Sequence, residues 1–187
     1  MARPARYSVD ELLDAAAALL ADDGPAAVSM SAVARAVGAP SGSIYHRFPT
    51  RAALCGELWR RTEERFQGGF VDALASPGAT TERCVAAARF AVQWCREHPV
   101  EARVLLAGAD ALDRTAWPEP VTARRRRLHR SVNRLLAELD VAPDRLSAAL
   151  IDVPYAVVRR HLVAGQMIPE TADVIVEDCV RALVSSS

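Results

Sequence analysis

A chain of 187 residues, 51% of them hydrophobic, is long enough to close a sizeable core without disulfide or metal staples. Its 23 basic residues, all arginine, are balanced by 23 acidic ones, which excludes a global positive field; any attraction for nucleic acid must be local. Four widely spaced cysteines (Cys55, Cys84, Cys95 and Cys179) exclude a disulfide scaffold and suit a reducing cytoplasm, no stretch reaches the roughly 20 apolar residues that span a bilayer, and Asp10, Glu11 and Asp14 interrupt any signal-peptide centre.

Apolar residues recur at spacings of three and four almost throughout, and no run alternates as a strand does, so an all-α fold of about nine helices is expected. Ser8 followed by Glu11 reads as a capping box for a helix from Val9 to about Ala21, stopped by Gly24-Pro25. A short helix from Met30 to Val37 has Ser29 as its cap and Gly38 as its stop, and a third spans Ser41 to Arg47 before Pro49. Thr50 caps a long fourth helix from Arg51 to about Ala75. Further helices are expected at about 81–97, 100–109, 121–139, 143–164 and 169–184, punctuated by Pro77-Gly78, Pro99, the Pro-bearing segment 113–120, Pro143 and Pro169.

The informative segment is Ser29 to Leu54, SMSAVARAVGAPSGSIYHRFPTRAAL. Two short helices joined by a Gly-containing turn form a helix-turn-helix, whose second helix enters the DNA major groove. Ile44 and Phe48 lie four apart and face inward, leaving Ser41, Gly42, Ser43, Tyr45, His46 and Arg47 on the other side. Small residues there allow a close approach to base edges, and Tyr and Arg can bond phosphates or bases. From Met30 to Arg61 five arginines (35, 47, 51, 60 and 61) stand against one acid, Glu57, an excess of four.

This segment resembles the tetracycline-repressor (TetR) family of bacterial transcriptional regulators over about Ser8 to Leu58. Gly38, Tyr45, Phe48, Thr50 and Arg51 carry the resemblance in the right order and distance from the start. It implies a DNA-binding domain at 1–54 and a helical effector-binding and dimerisation domain at 55–187. It also implies a ligand-responsive regulator and not an enzyme, most simply a repressor released from a palindromic operator by a small molecule. Residue by residue it puts Ser31 near the DNA backbone, Ser41, Gly42 and Ser43 against bases, Tyr45 and His46 against phosphate or base, and Arg51 against a phosphate. Pro40 departs from the family, standing where a capping Ser or Thr is usual.

For the remainder the resemblance is one of architecture: a pocket among the middle helices and a homodimer through the last two. Phe70, Phe90, Trp94, Leu105, Trp117 and Tyr155 are candidate linings for a lipophilic or aromatic effector, with plain core as the competing role of each. The run Arg124 to Arg127, continued by Arg130 and Arg134, points all around a helix and reads as a solvated face. Cys95-Arg96-Glu97-His98 offers two metal ligands or a nucleophile with a base, yet no second ligand pair, GxSxG, phosphate loop or HExxH accompanies it. The expectation is therefore no catalysis, no metal and no cofactor, with a metal or redox sensor built on Cys84, Cys95 and His98 left as a variant. The rival reading is a helical protein-interaction module without DNA binding.

Overall fold

Ser8 opens the first helix as its side chain accepts from the Glu11 amide at 3.1 Å while the Glu11 carboxylate accepts from the Ser8 amide at 2.7 Å. These bonds from Ser8 hold the Glu11 carboxyl below its usual range, so the cap survives at neutral pH and weakens as pH falls through that lowered range. The computed structural model describes residues 7–185, apart from the Ser41 side chain, and within them every regular element is helical. In chain order these are α1 (Val9–Asp23), α2 (Met30–Val37), α3 (Ser41–Tyr45), α4 (Arg51–Leu74), α5 (Thr80–Glu97), α6 (Pro99–Ala107), α7 (Glu119–Ala137), α8 (Pro143–Ser147), α9 (Val153–Val163) and α10 (Thr171–Val184). A π turn, Ala148–Asp152, joins α8 to α9 without a break, ahead of Pro154, which has no N–H to give to the preceding turn. Segment 143–163 is thus one rod, as the periodicity predicts.

The described residues form two compact units. The first holds residues up to Thr62 together with Arg103–Arg125; the second holds Glu63–Ala102 with the residues from Arg126 onward. The expected domain limit after residue 54 follows the chain, whereas the first unit recruits a distant segment.

In the first unit α1 presents Leu12, Leu13, Ala16, Ala17 and Leu20 to a core completed by Val33, Ile44, Phe48, Leu54, Leu58 and Trp59. Val104, Leu112, Trp117 and Val121 from the recruited segment are buried in that same cluster. The Trp117 ring lies 6.2 Å from that of Trp59, and its Nε1 donates to the Leu112 carbonyl at 2.7 Å, so its one polar group is satisfied inside. A Cβ added at Gly56 would come within 3.1 Å of Trp117, so the small residue leaves room for the indole.

The second unit is organised by arginines that close helix ends. Arg96 donates to the carbonyls of Ile168 and Pro169 and to Asp173, fixing the entry to α10. Arg145 donates to the carbonyls of Leu183 and Ala182 at the α10 C-terminus, and Arg83 to Leu74 at the end of α4. At Gly69 the α4 backbone meets Phe90 so closely that an added Cβ would lie 2.4 Å from the ring.

Trp117→Ala tests whether 103–125 completes the first core. Truncating this buried indole is expected to cost about 3–5 kcal/mol in denaturant unfolding, read through the fluorescence of Trp59 in a Trp94→Phe background common to parent and variant.

Candidate functional site

Two local devices shape the α2–α3 pair. Ser29 accepts from the Ala32 amide at 3.2 Å to start α2, and Gly38 ends it at φ 68°, a left-handed conformation that favours glycine. The turn then leads through Pro40 into α3, where no side chain caps the start; Ser43 instead turns its hydroxyl back to the Pro40 carbonyl at 2.7 Å. The helix is short: it ends at Tyr45, and His46 and Arg47 follow in a turn secured by the Phe48 amide on the Ile44 carbonyl at 2.8 Å.

Ile44 and Phe48 are buried, and they hold α3 by its inner face. Gly42, Ser43, Tyr45, His46 and Arg47 face solvent; Tyr45 is 55% exposed and no described residue bonds the side chains of Tyr45, His46 or Arg47. Ser31 is exposed on α2, its hydroxyl 3.3 Å from that of Ser29. Ser41 is the first residue of α3, and its side chain lies outside the described residues.

The five arginines of this stretch divide sharply. Arg35 and Arg47 are exposed. Arg61, with only 8% of its side chain exposed, is bound by Asp10 and Asp14 of α1 at 3.0 and 2.7 Å, and Arg60 donates to Glu57 at 2.7 Å. Arg51 donates to the carbonyls of Val28 and Pro25 and to the Asp113 carboxylate. The arginine excess along the chain therefore serves largely to hold α4 in place, and the outward charge comes from Arg35 and Arg47.

Among the candidate effector contacts, Phe70, Phe90 and Trp94 come together in the second unit around Phe66. The Phe66 ring lies 5.8 Å from Phe70, 5.9 Å from Phe90 and 5.2 Å from Trp94. Phe66 is absent from the sequence-based candidates, although its spacing of four from Phe70 puts both on one face of α4. Leu105 and Trp117 pack instead with the first-unit core, and Tyr155 is exposed on α9. Two further polar features have no local signature in the chain: the buried Glu63 carboxylate lies 2.9 Å from His129 Nε2, and the buried Gln67 Oε1 has no hydrogen-bond partner.

Burial pushes the Cys95 thiol up to about 12 and raises that of Cys84 as well, so both stay protonated near neutral pH and are poor nucleophiles. His98 packs on Trp94, with ring centroids 5.2 Å apart, and lies 3.6 Å from Glu101. Among the described residues no three His, Cys, Asp or Glu are grouped to hold a metal ion, and no helix is long and apolar enough to cross a membrane.

Residues 12–58 match the bacterial regulatory proteins of the tetR family. No curated protein sequence matches the chain. Solved structures with the same fold include a transcriptional regulator from Rhodococcus sp. Rha1, 17% identical with TM-score 0.74, covering 96% of this chain and 97% of that one. The ketosteroid transcriptional regulator KstR2 of Mycobacterium tuberculosis is 21% identical with TM-score 0.66, over 96% of this chain and 94% of its own. The regulator FadR of Bacillus subtilis, solved with stearoyl-CoA, is 14% identical with TM-score 0.71, over 96% of this chain and 100% of its own.

The double substitution Tyr45→Ala, Arg47→Ala removes only solvent-facing groups, so the melting temperature is expected to stay near that of the parent. Affinity for duplex DNA, measured by fluorescence anisotropy, should fall by about tenfold or more for each side chain that bonds a base or phosphate.

Proposed function

We propose that the chain is a transcriptional regulator of the tetR family, as the match over residues 12–58 supports, and that it acts as a homodimeric repressor released from a palindromic operator by a small molecule. The observation that carries the reading is the exposed, unpartnered Tyr45-His46-Arg47 face, held outward by the burial of Ile44 and Phe48. Nothing within the described residues employs those side chains, and their chemistry suits phosphates and base edges. Regulators of this family act by binding and not by catalysis, and the cytoplasm, where DNA and thiols in the reduced state coexist, is the compartment proposed.

Dimerisation through the last two helices is supported by Ile151, Tyr155, Val163, Val174 and Ile175, large apolar groups exposed on the π turn, α9 and α10. Two copies paired there present two α3 helices to successive major grooves. The effector proposed is lipophilic: the Phe66 cluster supplies apolar and aromatic surface, and the free Gln67 carbonyl oxygen supplies an acceptor for one ligand hydroxyl or amine. Similar folds that serve a ketosteroid regulator and bind stearoyl-CoA support that class. Helix α4 contributes residues to both units and is the proposed coupling element, so substitutions along it beyond its first turn, which holds Arg51, are expected to change induction more than DNA affinity.

The test is a titration against DNA from immediately upstream of the protein's own gene at several salt concentrations. Palindrome-specific binding is expected, with log affinity falling against log salt by about 0.9 for each phosphate contacted. The rival interaction-module reading predicts no sequence preference and no effect of the Tyr45→Ala, Arg47→Ala substitution. In parallel, Val174→Glu with Ile175→Glu is expected to yield a folded monomer by light scattering and to lose operator binding, since one half-site cannot hold the protein tightly.

A further inference from the structure

The start of α4 carries a cation, Arg51, where the family resemblance implies a phosphate contact, but each of its three nitrogens donates to a group of the protein itself. Nε donates to the Val28 carbonyl at 2.7 Å, Nη2 to the Pro25 carbonyl at 2.8 Å, and Nη1 to the Asp113 carboxylate. Pro25 and Val28 bracket the 3₁₀ turn that leads into Ser29, the cap of α2. Asp113 lies between two further 3₁₀ turns, Asp110–Leu112 and Arg114–Ala116, and is the one non-glycine residue with positive φ (60°) among those described. Aspartate adopts that conformation more readily than most residues. One planar head group thereby ties together two segments about 90 residues apart along the chain.

We propose that Arg51 and Asp113 are positioning residues: they fix the entry of α2, and through it the α2–α3 pair, in place of a direct Arg51 contact with phosphate. The consequence for operator affinity rests on the DNA-binding reading above. The role depends on the shape of the guanidinium as well as its charge. A lysine could still meet a phosphate as a point charge, but it cannot span two carbonyls and a carboxylate with the same planar fork.

The test compares Arg51→Lys, Arg51→Gln and Asp113→Asn in the full-length chain. Asp113→Asn keeps the shape and the tolerance for positive φ while removing the charge, so it remains informative if an Arg51 variant fails to fold. Amide hydrogen exchange of the DNA-free protein is expected to speed up at residues 26–32 in all three variants. Against duplex DNA carrying the operator selected by the wild-type protein, both Arg51 variants are expected to bind about tenfold more weakly, as charge-assisted bonds are removed. Asp113→Asn should bind only about threefold more weakly, because that pair is half-exposed, with 32% and 52% of the two side chains accessible. The slope of log affinity against log salt is expected to stay unchanged in every variant.

A wild-type-like Arg51→Lys, together with a slope flattened by about 0.9 in Arg51→Gln, would make Arg51 a phosphate contact and overturn the proposal. Tighter binding by Asp113→Asn would also overturn it, because the carboxylate would then be competing with DNA. Unchanged exchange in all three variants overturns it whether or not DNA binds. Faster exchange in a protein whose wild type selects no duplex supports the positioning role and sinks the DNA-binding reading instead.

Discussion

The first unit depends on burying Trp117 against Trp59 and over Gly56. Helices α1 to α4 alone form a small body with a high ratio of surface to volume, and such bodies bury too little apolar surface to be comfortably stable. Val104, Leu112, Trp117 and Val121 enlarge the core from a segment that begins some 40 residues after α4 leaves it. The core so completed gives Ile44 and Phe48 a rigid bed.

That bed matters because α3, at five residues, is far too short to persist on its own. Its conformation is imposed by packing on one side and by the turn through Gly38 and Pro40 at its start. Tyr45, His46 and Arg47 on the opposite side are thereby released from structural duty. The exposure of Tyr45, His46 and Arg47 follows from the firmness with which Ile44 and Phe48 are held. Arg51, Arg60 and Arg61 complement this by directing their charge onto α1, α4 and the chain entering α2.

The second unit is held together differently. Its helix ends are closed by arginine side chains reaching across to carbonyls, and its interior near α4 and α5 is aromatic, with Phe66 touching three neighbouring rings. The rod 143–163 and α10 bury one face, through Leu146, Leu150, Val158, Leu162, Val176 and Val180, and leave another apolar face open. A helix apolar over so broad an arc suits burial against more than one neighbour.

What the sequence determined by itself was whatever acts within a few residues. Ser8 with Glu11, Ser29, and Gly38 stop and start helices through bonds to the adjacent turn, and these boundaries are legible because partner and cap are written side by side. The all-helical pattern and the inward pair Ile44 and Phe48 are legible for the same reason, as periodicity is local. The end of α3 was less so: the periodicity carries on to Arg47, whereas the helix gives way after Tyr45 to a turn closed by the Phe48 amide on the Ile44 carbonyl. Tertiary structure alone decided which arginines face outward, since Asp10 and Asp14 lie about 50 residues from Arg61, and Asp113 lies 62 from Arg51. It alone put Leu105 and Trp117 in the first core, gathered Phe70, Phe90 and Trp94 around Phe66, and left Tyr155 in solvent. Such assignments turn on which distant apolar surface is near enough to exclude water, and no local pattern in the chain encodes that distance.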